Sequence, residues 1–257
     1  MMEPIDPDCM STYLALRYVP WRDKAWRPGV APQLPERHTA ALTRVATADE
    51  IRGALTLQLA AADPQTTGLL LSGGIDSAIL AAMLPADTRT YTIRFVAQDA
   101  IDESEQAAAY ARSKGLQHRV VEVTWQDYLQ HTAGLMRHKR APLHAIEVAL
   151  HKAALVARAD GVDTLIVGNG ADSNFGGMDK LLSRDWSFDA FVARYTFVDP
   201  ARVLTAPRSV RSVFAPYRHG ELADVVRFLH EVHGPGIVQA FENAITSAGC
   251  RIIAPYE

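Results

Sequence analysis

Within six consecutive positions, Ser72-Gly73-Gly74-Ile75-Asp76-Ser77, the chain carries two hydroxyls, two glycines and a carboxylate. The apolar run Leu69-Leu70-Leu71 precedes them, and the helix-like run Ala78-Ile79-Leu80-Ala81-Ala82-Met83-Leu84 follows. A strand that stops at two glycines and turns straight into a helix leaves unpaired N–H donors under the positive end of the helix dipole. That is an anion site, and the hydroxyls of Ser72 and Ser77 suit phosphate oxygens. Asp76 would repel a bare phosphate, which points to a divalent cation between them. Mg²⁺ shared by a carboxylate and phosphate oxygens is the usual arrangement. The stretch is not a Walker A loop, since no G-K-[ST] follows, and it lacks G-x-G-x-x-G. The plainer alternative is a Gly-Gly turn with a serine or aspartate N-cap, which stabilises by about 1 kcal/mol.

The elements that must position this stretch alternate in type. From Thr47, "ADEIRGALTLQLAAA" has helical spacing with Asp49 and Glu50 near its start. The strand "TGLLLS", the helix "DSAILAAML" and the strand "TRTYTIRF" come next. "DESEQAAAYARSKG" reads as a helix closed by Gly115, "HRVVEV" as a strand, "TWQDYLQHTAGLMR" as a helix, "HAIEVALHKAALVARADG" as a longer helix, and "DTLIVG" as a strand. Strands alternating with helices predict an α/β fold, an open parallel sheet with helices on both faces. Ligands of such sheets sit beyond the carboxyl ends of the strands. Before it, the Pro-, Arg- and Trp-rich residues 1–46 read as an extended entry segment, with Trp21 and Trp26 as packing anchors. Residues 47–180 form the expected α/β domain. Residues 181–257 read as a helical C-terminal subdomain, "FDAFVARYTF", "GELADVVRFLHEV" and "GIVQAFENAITSAG", ending in a short strand, "CRIIAPYE".

With 257 residues, 48% hydrophobic and 21% charged, the chain has the composition of an ordinary globular protein. A net charge of −3 argues against a broad nucleic-acid surface. Two cysteines without CxxC spacing, Cys9 and Cys250, predict neither a disulfide framework nor a thiolate zinc site. No apolar stretch reaches a membrane span and no signal peptide is visible, so a cytoplasmic location is expected.

Leu71-Ser72-Gly73-Gly74-Ile75-Asp76-Ser77 resembles the S-G-G-x-D-S loop of the ATP pyrophosphatase (PP-loop) superfamily. "VGNGADSNFGG", Val167 to Gly177, resembles the second nucleotide motif of asparagine synthetase and β-lactam synthetase, roughly S-G-E-G-[SA]-D-E-L-F-G-G. "YTIRF" and "DESEQAAAYARSKGLQHRVVEV" resemble the intervening strand and helix-strand unit, so the resemblance runs from about Asp49 to Gly177. It implies an adenine nucleotide α-hydrolase-like fold. Leu71, Ile93, Val167 and Gly168 would frame adenine and ribose, and Ser72, Gly73, Gly74 and Ser77 would hold the pyrophosphate. Asp76 and Asp172 would hold Mg²⁺, with ATP as the cofactor. Arg94, next to Ile93, would reach a phosphate or carboxylate. The implied reaction joins a small-molecule carboxylate to an amine or ammonia through an acyl-adenylate, releasing AMP and pyrophosphate.

The pattern departs from the family in three places. A glutaminase domain, which would open with a catalytic cysteine, is not expected with this chain, which begins Met1-Met2. The nitrogen is then expected as free ammonia, an amine substrate or the product of a partner chain. Asn169 and Ser173 replace two family acids, so Asn169, Gly170 and Ser173, as substrate neighbours, imply an acceptor other than aspartate. The family lysine that follows a strand like "CRIIAPYE" is expected from a longer natural chain or a partner chain, with Lys180 the substitute within the chain. The alternatives are an ammonia-dependent NAD synthetase, a non-catalytic ATP-binding subunit of a two-component synthetase and, less well matched, a sulfur-transferring tRNA enzyme. Nucleic-acid and membrane partners are not expected, and a homodimer is left open. His118 matches a family histidine before the third strand. His138, His144 and His151 read as solvated or core histidines, and Phe191, Tyr195 and Phe197 as core.

Overall fold

The computed structural model describes residues 5–34, 43–60 and 62–257; expectations for residues 1–4, 35–42 and 61 lie outside them. In chain order the main elements are α1 (Pro7–Leu16), α2 (Ala48–Ala60), β1 (Thr67–Leu70), α3 (Ile75–Met83), β2 (Arg89–Phe95), α4 (Ser104–Ser113) and β3 (Gln117–Val123). Next come α5 (Trp125–Lys139), α6 (Glu147–Ala159), β4 (Thr164–Ile166), α7 (Ala171–Phe175), α8 (Asp179–Leu182) and α9 (Phe188–Tyr195). The chain closes with α10 (Arg211–Phe214), β5 (Arg218–His219), β6 (Leu222–Ala223), α11 (Val225–Phe228), α12 (Gly234–Thr246) and β7 (Arg251–Ile253).

Two compact units result, and neither is continuous in sequence. One holds the described residues within Glu36–Leu135, Ala145–Ala171 and Phe241–Glu257; the other holds those within Met1–Pro35, Met136–His144 and Asp172–Ala240.

The first unit is the expected α/β fold, a five-stranded, all-parallel sheet in the order β3-β2-β1-β4-β7. Period-2 alternation sends neighbouring residues to opposite faces. Leu69, Leu71 and Ile166 pack with Leu55, Leu80, Ala107 and Ala111 of α2, α3 and α4. Leu165 and Val167 pack on the other face with Ala153, Ala154 and Ala157 of α6 and with Ile245. Both faces are therefore covered, and the strands read as apolar runs, as parallel sheets require. Thr47 and Glu50 start α2 with a reciprocal capping box, Glu50 N–H donating to Thr47 Oγ1 (3.3 Å) and Thr47 N–H to Glu50 Oε2 (3.0 Å). The chain moves outward from β1 through β2 to β3, then crosses to the other side of β1 at β4. This reversal leaves a crevice beyond the carboxyl ends of β1 and β4.

The second unit is built on aromatic packing. Phe214 and Phe228 stack at 5.0 Å, while Phe191 and Tyr195 meet the Phe228 ring edge-on at 5.2 and 4.7 Å. The expected extended entry segment contains a helix: Pro7 occupies the first turn of α1, where its missing N–H costs nothing, and Asp6 Oδ1 caps it from Cys9 N–H at 2.8 Å. The prolines that follow, from Pro20 onward, keep the chain from extending that helix. Trp26 is an anchor as expected, buried with Cys9 and Val19. The stretch "GELA", expected to start a helix, instead forms the β5–β6 hairpin, and α11 begins only where Asp224 caps Arg227 N–H.

Candidate functional site

The crevice of the sheet unit is a cavity of about 290 Å³. Its polar end comprises Ser72, Asp76, Ser77 and Asn169; its walls are apolar, among them Leu71, Ile93, Phe95, Val167 and Phe241. The polar end exists because β1 stops and α3 starts within a few residues. Gly74 takes the N-cap position and no side chain caps the helix there. Ser77 Oγ accepts from Ser72 N–H at 3.0 Å and lies 2.9 Å from Ser72 Oγ, while Ser72 Oγ accepts from Gly74 N–H at 3.1 Å. The two serines thus fold the loop onto itself and aim their hydroxyls at one place. Ser77 is 4% exposed and Ser72 is open to solvent.

Two side chains from α4 and its cap brace this loop. Glu103 Oε2 accepts from Gly73 N–H at 3.1 Å, and Gln106 Nε2 donates to Gly73 carbonyl at 2.9 Å. The approach is close: a Cβ on Gly73 would lie 2.8 Å from Glu103 Cβ, so only glycine fits there. From the C-terminal end, Tyr256 OH donates to Asp76 carbonyl at 3.0 Å, and burial, then the Asp76 charge, pushes its phenol up to about 12.

After β4, Val167 is buried, and a Cβ added to Gly168 would lie 3.4 Å from Ser77 N. Asn169 donates through Nδ2 to Glu257 Oε1 at 3.2 Å, and its Oδ1 is buried without a hydrogen-bond partner. Gly170 adopts φ +94° against Tyr256 carbonyl.

The structure thus brings Leu71, Ser72, Asp76, Ser77, Ile93, Val167, Gly168 and Asn169 to one cavity. Gly73 and Gly74 form the loop at its polar end. Arg94 does not line the cavity. It points to the opposite face from Ile93 and pairs with Glu122, its register partner on β3, and with Asp102 at 4.0 Å. Asp172, Ser173 and Lys180 belong to the other unit. There Asp172 is exposed, and a Cβ on Gly177 would overlap its Oδ1, so the second glycine of "NFGG" makes room for that carboxylate. Lys180 is exposed on α8. Among the described residues, no three or more His, Cys, Asp and Glu side chains group to hold a metal.

The histidines behave individually. His151 is buried with Nδ1 3.1 Å from Ala244 carbonyl and 2.9 Å from Ser247 Oγ, a core residue as expected. His118 Nδ1 lies 2.9 Å from Thr90 Oγ1 at the far end of the sheet. His138 is solvent-exposed.

Sequence reasoning missed the braces Glu103 and Gln106, Tyr256, and the aromatic walls Tyr91, Phe95 and Phe241. For Glu103 a signal existed, an acid directly before an alanine-rich helix. For the walls there was none, since aromatic residues on a strand (Tyr91, Phe95) or on an apolar helix face (Phe241) read equally well as core.

The model of the asparagine synthase family matches residues 46–247. The chain belongs to the asparagine synthase family. That family uses ATP in ligase-type chemistry, and its matched region contains the loop at the end of β1 and the Val167–Gly177 stretch. Among solved structures the chain is similar to a predicted subunit of a tRNA methyltransferase from Methanocaldococcus jannaschii DSM, with 25% identity over 41% of this chain and 54% of that one and a TM-score of 0.28. It is also similar to the NH3-dependent NAD synthetase from Campylobacter jejuni subsp. jejuni NCTC 11168 in complex with the nitrate ion, with 15% identity over 52% of this chain and 58% of that one and a TM-score of 0.32. The chain thus spans little more than half the length of these structures. No curated protein matches it. For this asparagine synthase-family chain, no described helix is long and apolar enough to cross a membrane.

Proposed function

We propose that this chain uses ATP to activate a small-molecule carboxylate as an acyl-adenylate, which an amine or ammonia then converts to an amide. The observation that carries this reading is the cavity beyond β1 and β4: an uncapped helix start and two hydroxyls at one end, and apolar walls at the other. The first suits a polyphosphate and the second a flat base. In the first step a carboxylate oxygen bonds to the α-phosphorus and the bond to the bridging oxygen breaks, releasing pyrophosphate. In the second the amine bonds to the acyl carbon, AMP leaves and the amine sheds a proton.

The chain's own groups would act as follows. The α3 N–H groups, Ser72 and Ser77 would hold the β- and γ-phosphates and take up charge on the leaving pyrophosphate. Ile93 and Val167 would flank the base. Asn169 Oδ1, an acceptor with no partner, would take an N–H or O–H of the bound ligands. Asp76 and the two hydroxyls are hard oxygen donors that fit Mg²⁺. When bound, Mg²⁺ would neutralise phosphate charge.

The test is exchange of labelled pyrophosphate into ATP with Mg²⁺ and a panel of carboxylates. Carboxylate-dependent exchange is expected. If nucleotide binds but no carboxylate supports exchange, even with a partner extract added, the chain is a binding subunit and the catalytic reading is wrong.

A further inference from the structure

The aromatic unit holds a cavity of its own, about 410 Å³, between the end of α1, the end of α9 and the start of α12. Backbone bonds from Phe197 N–H to Ala15 carbonyl (2.9 Å) and from Val198 N–H to Leu14 carbonyl (3.0 Å) fix its frame. Leu16, Met178, Leu181 and Ile237 supply apolar wall. Arg17 is its half-buried cation and Arg194 an exposed one at its edge.

Arg17 is held with care. It takes a left-handed backbone, φ 58°, which is uncommon for any residue but glycine, asparagine or aspartate. Its guanidinium covers the Phe197 ring, Cζ 3.3 Å from the centroid, and Nη1 lies 3.1 Å from His144 Nε2. A guanidinium can only donate, so Nε2 accepts and His144 is the neutral Nδ1–H tautomer. Burial, then the charges of Arg17 and Lys139, push His144 down to about 4; burial, then Arg17, lowers His233, which Asp172 opposes. Both imidazoles are therefore uncharged near neutral pH. Among the described residues no carboxylate pairs with Arg17 or Arg194. One face of the Arg17 fork is stacked and one donor is used, which leaves further N–H donors without an anion. Phe197, expected in the core, is 62% exposed at this cavity.

We infer that this cavity binds an organic monocarboxylate bearing an apolar chain, the carboxylate on the Arg17 fork and the chain along Leu16, Leu181 and Ile237. One half-buried cation with neutral imidazoles balances one negative charge, not the two of a phosphate. The planar fork matches a carboxylate in two parallel bonds. That this ligand belongs to the substrate class rests on the function proposed above; the binding itself does not.

The experiment therefore omits ATP and Mg²⁺ and reads histidine ring resonances of the full chain by NMR at pH 7.5. The additions are sodium hexanoate, hexylammonium chloride or inorganic phosphate. Hexanoate is expected to move the His144 and His233 signals to saturation, with hexylammonium inert and phosphate at least about tenfold weaker. Arg17→Gln should weaken hexanoate about tenfold or more, and Arg194→Gln about two- to threefold. Should Arg17→Gln not fold, Arg17→Lys keeps the charge without the fork, and weaker hexanoate binding is expected there too. No saturable hexanoate shift, equal affinity for phosphate, or unchanged binding in the folded Arg17 variant would overturn the inference. None of these results bears on pyrophosphate exchange.

Discussion

The two cavities recognise an anion in opposite ways. In the sheet unit the donors are mainly backbone: N–H groups at an uncapped helix start, presented because Gly73 and Gly74 follow β1. In the aromatic unit the donor is one side chain, Arg17, oriented by a ring, an imidazole and a left-handed residue. A backbone cradle tolerates loss of one side chain and cannot easily be moved. A side-chain site depends on one group.

Asp76→Asn should break the sheet site hardest. Without that carboxylate the site would hold Mg²⁺ poorly, charge on the leaving pyrophosphate would go less neutralised, and exchange should fall about 100-fold or more. Ser77→Ala, by contrast, leaves the helix N–H donors in place, so ATP affinity should drop only about tenfold by calorimetry. Abolition of ATP binding by Ser77→Ala alone would mean that the cradle is a side-chain site after all, and the contrast would fail.

The next largest effect sharpens the geometric half of the comparison. Gly73→Ala puts a Cβ 2.8 Å from Glu103 Cβ, so the loop must shift. Overpacking of this kind destabilises by about 1–3 kcal/mol, visible in urea melts, and ATP binding should weaken with it. Glu103→Gly in the same chain removes the clash together with the brace on Gly73 N–H, so it should recover part of the lost stability. Gly168→Ala, whose Cβ would sit at an ordinary 3.4 Å from Ser77 N, should change little. Equal damage from the two alanines would show that the loop is held by something other than this contact.

How far the sequence disclosed these sites follows from the same distinction. The sheet and its cradle were legible because they rest on local pattern: apolar strands, Ser72 to Ser77, and Gly115 at φ +68° closing α4. Arg94, expected beside a ligand, faces away from the cavity because adjacency to Ile93 in sequence means opposite faces on a strand, and its partner Glu122 lies on β3. The division into units was not legible at all, since residues 136–144 and 172–240 join the N-terminal helix through contacts far apart in the chain. Arg17, His144 and Phe197 lie in three separate stretches without motif, and no spacing could have gathered them. The hairpin at Gly220 escaped because "GELA" has ordinary helical propensity and the strand pairing of Arg218 with Ala223 is a tertiary choice.

A smaller effect separates the units by pH. His144 is held below its unfolded value of about 6.5, at about 4 when folded, by burial and by Arg17, Lys139 and His233. Between those values the unfolded chain binds the additional proton, so stability rises with pH through the window. Its contribution is complete above about 6.5 and is lost as pH falls toward 4. After discounting for solvent screening, the loss should be on the order of 1–2 kcal/mol, read in melts of the aromatic unit's tryptophans. In the sheet unit, burial opposes ionisation of Asp127, but hydrogen bonds from Lys152 and Thr124 hold it at about 2. Its contribution therefore survives down to about pH 4. Replacing His144 with Gln should flatten the upper window and leave the lower one intact.

The smallest expected effect tests the cradle by what does not touch it. Arg94 is the cation nearest in sequence to the cavity wall, yet its guanidinium is spent on Glu122 and Asp102 at the surface. An exposed pair of this kind contributes about 0–1 kcal/mol. Arg94→Ala should therefore leave ATP affinity unchanged and shift stability by no more than about 0.5 kcal/mol. A tenfold loss of ATP affinity would mean that Arg94 leaves Glu122 when nucleotide arrives. The sheet site would then depend on a mobile side-chain cation, as the aromatic cavity does, and the backbone-against-side-chain distinction would hold only for the empty protein.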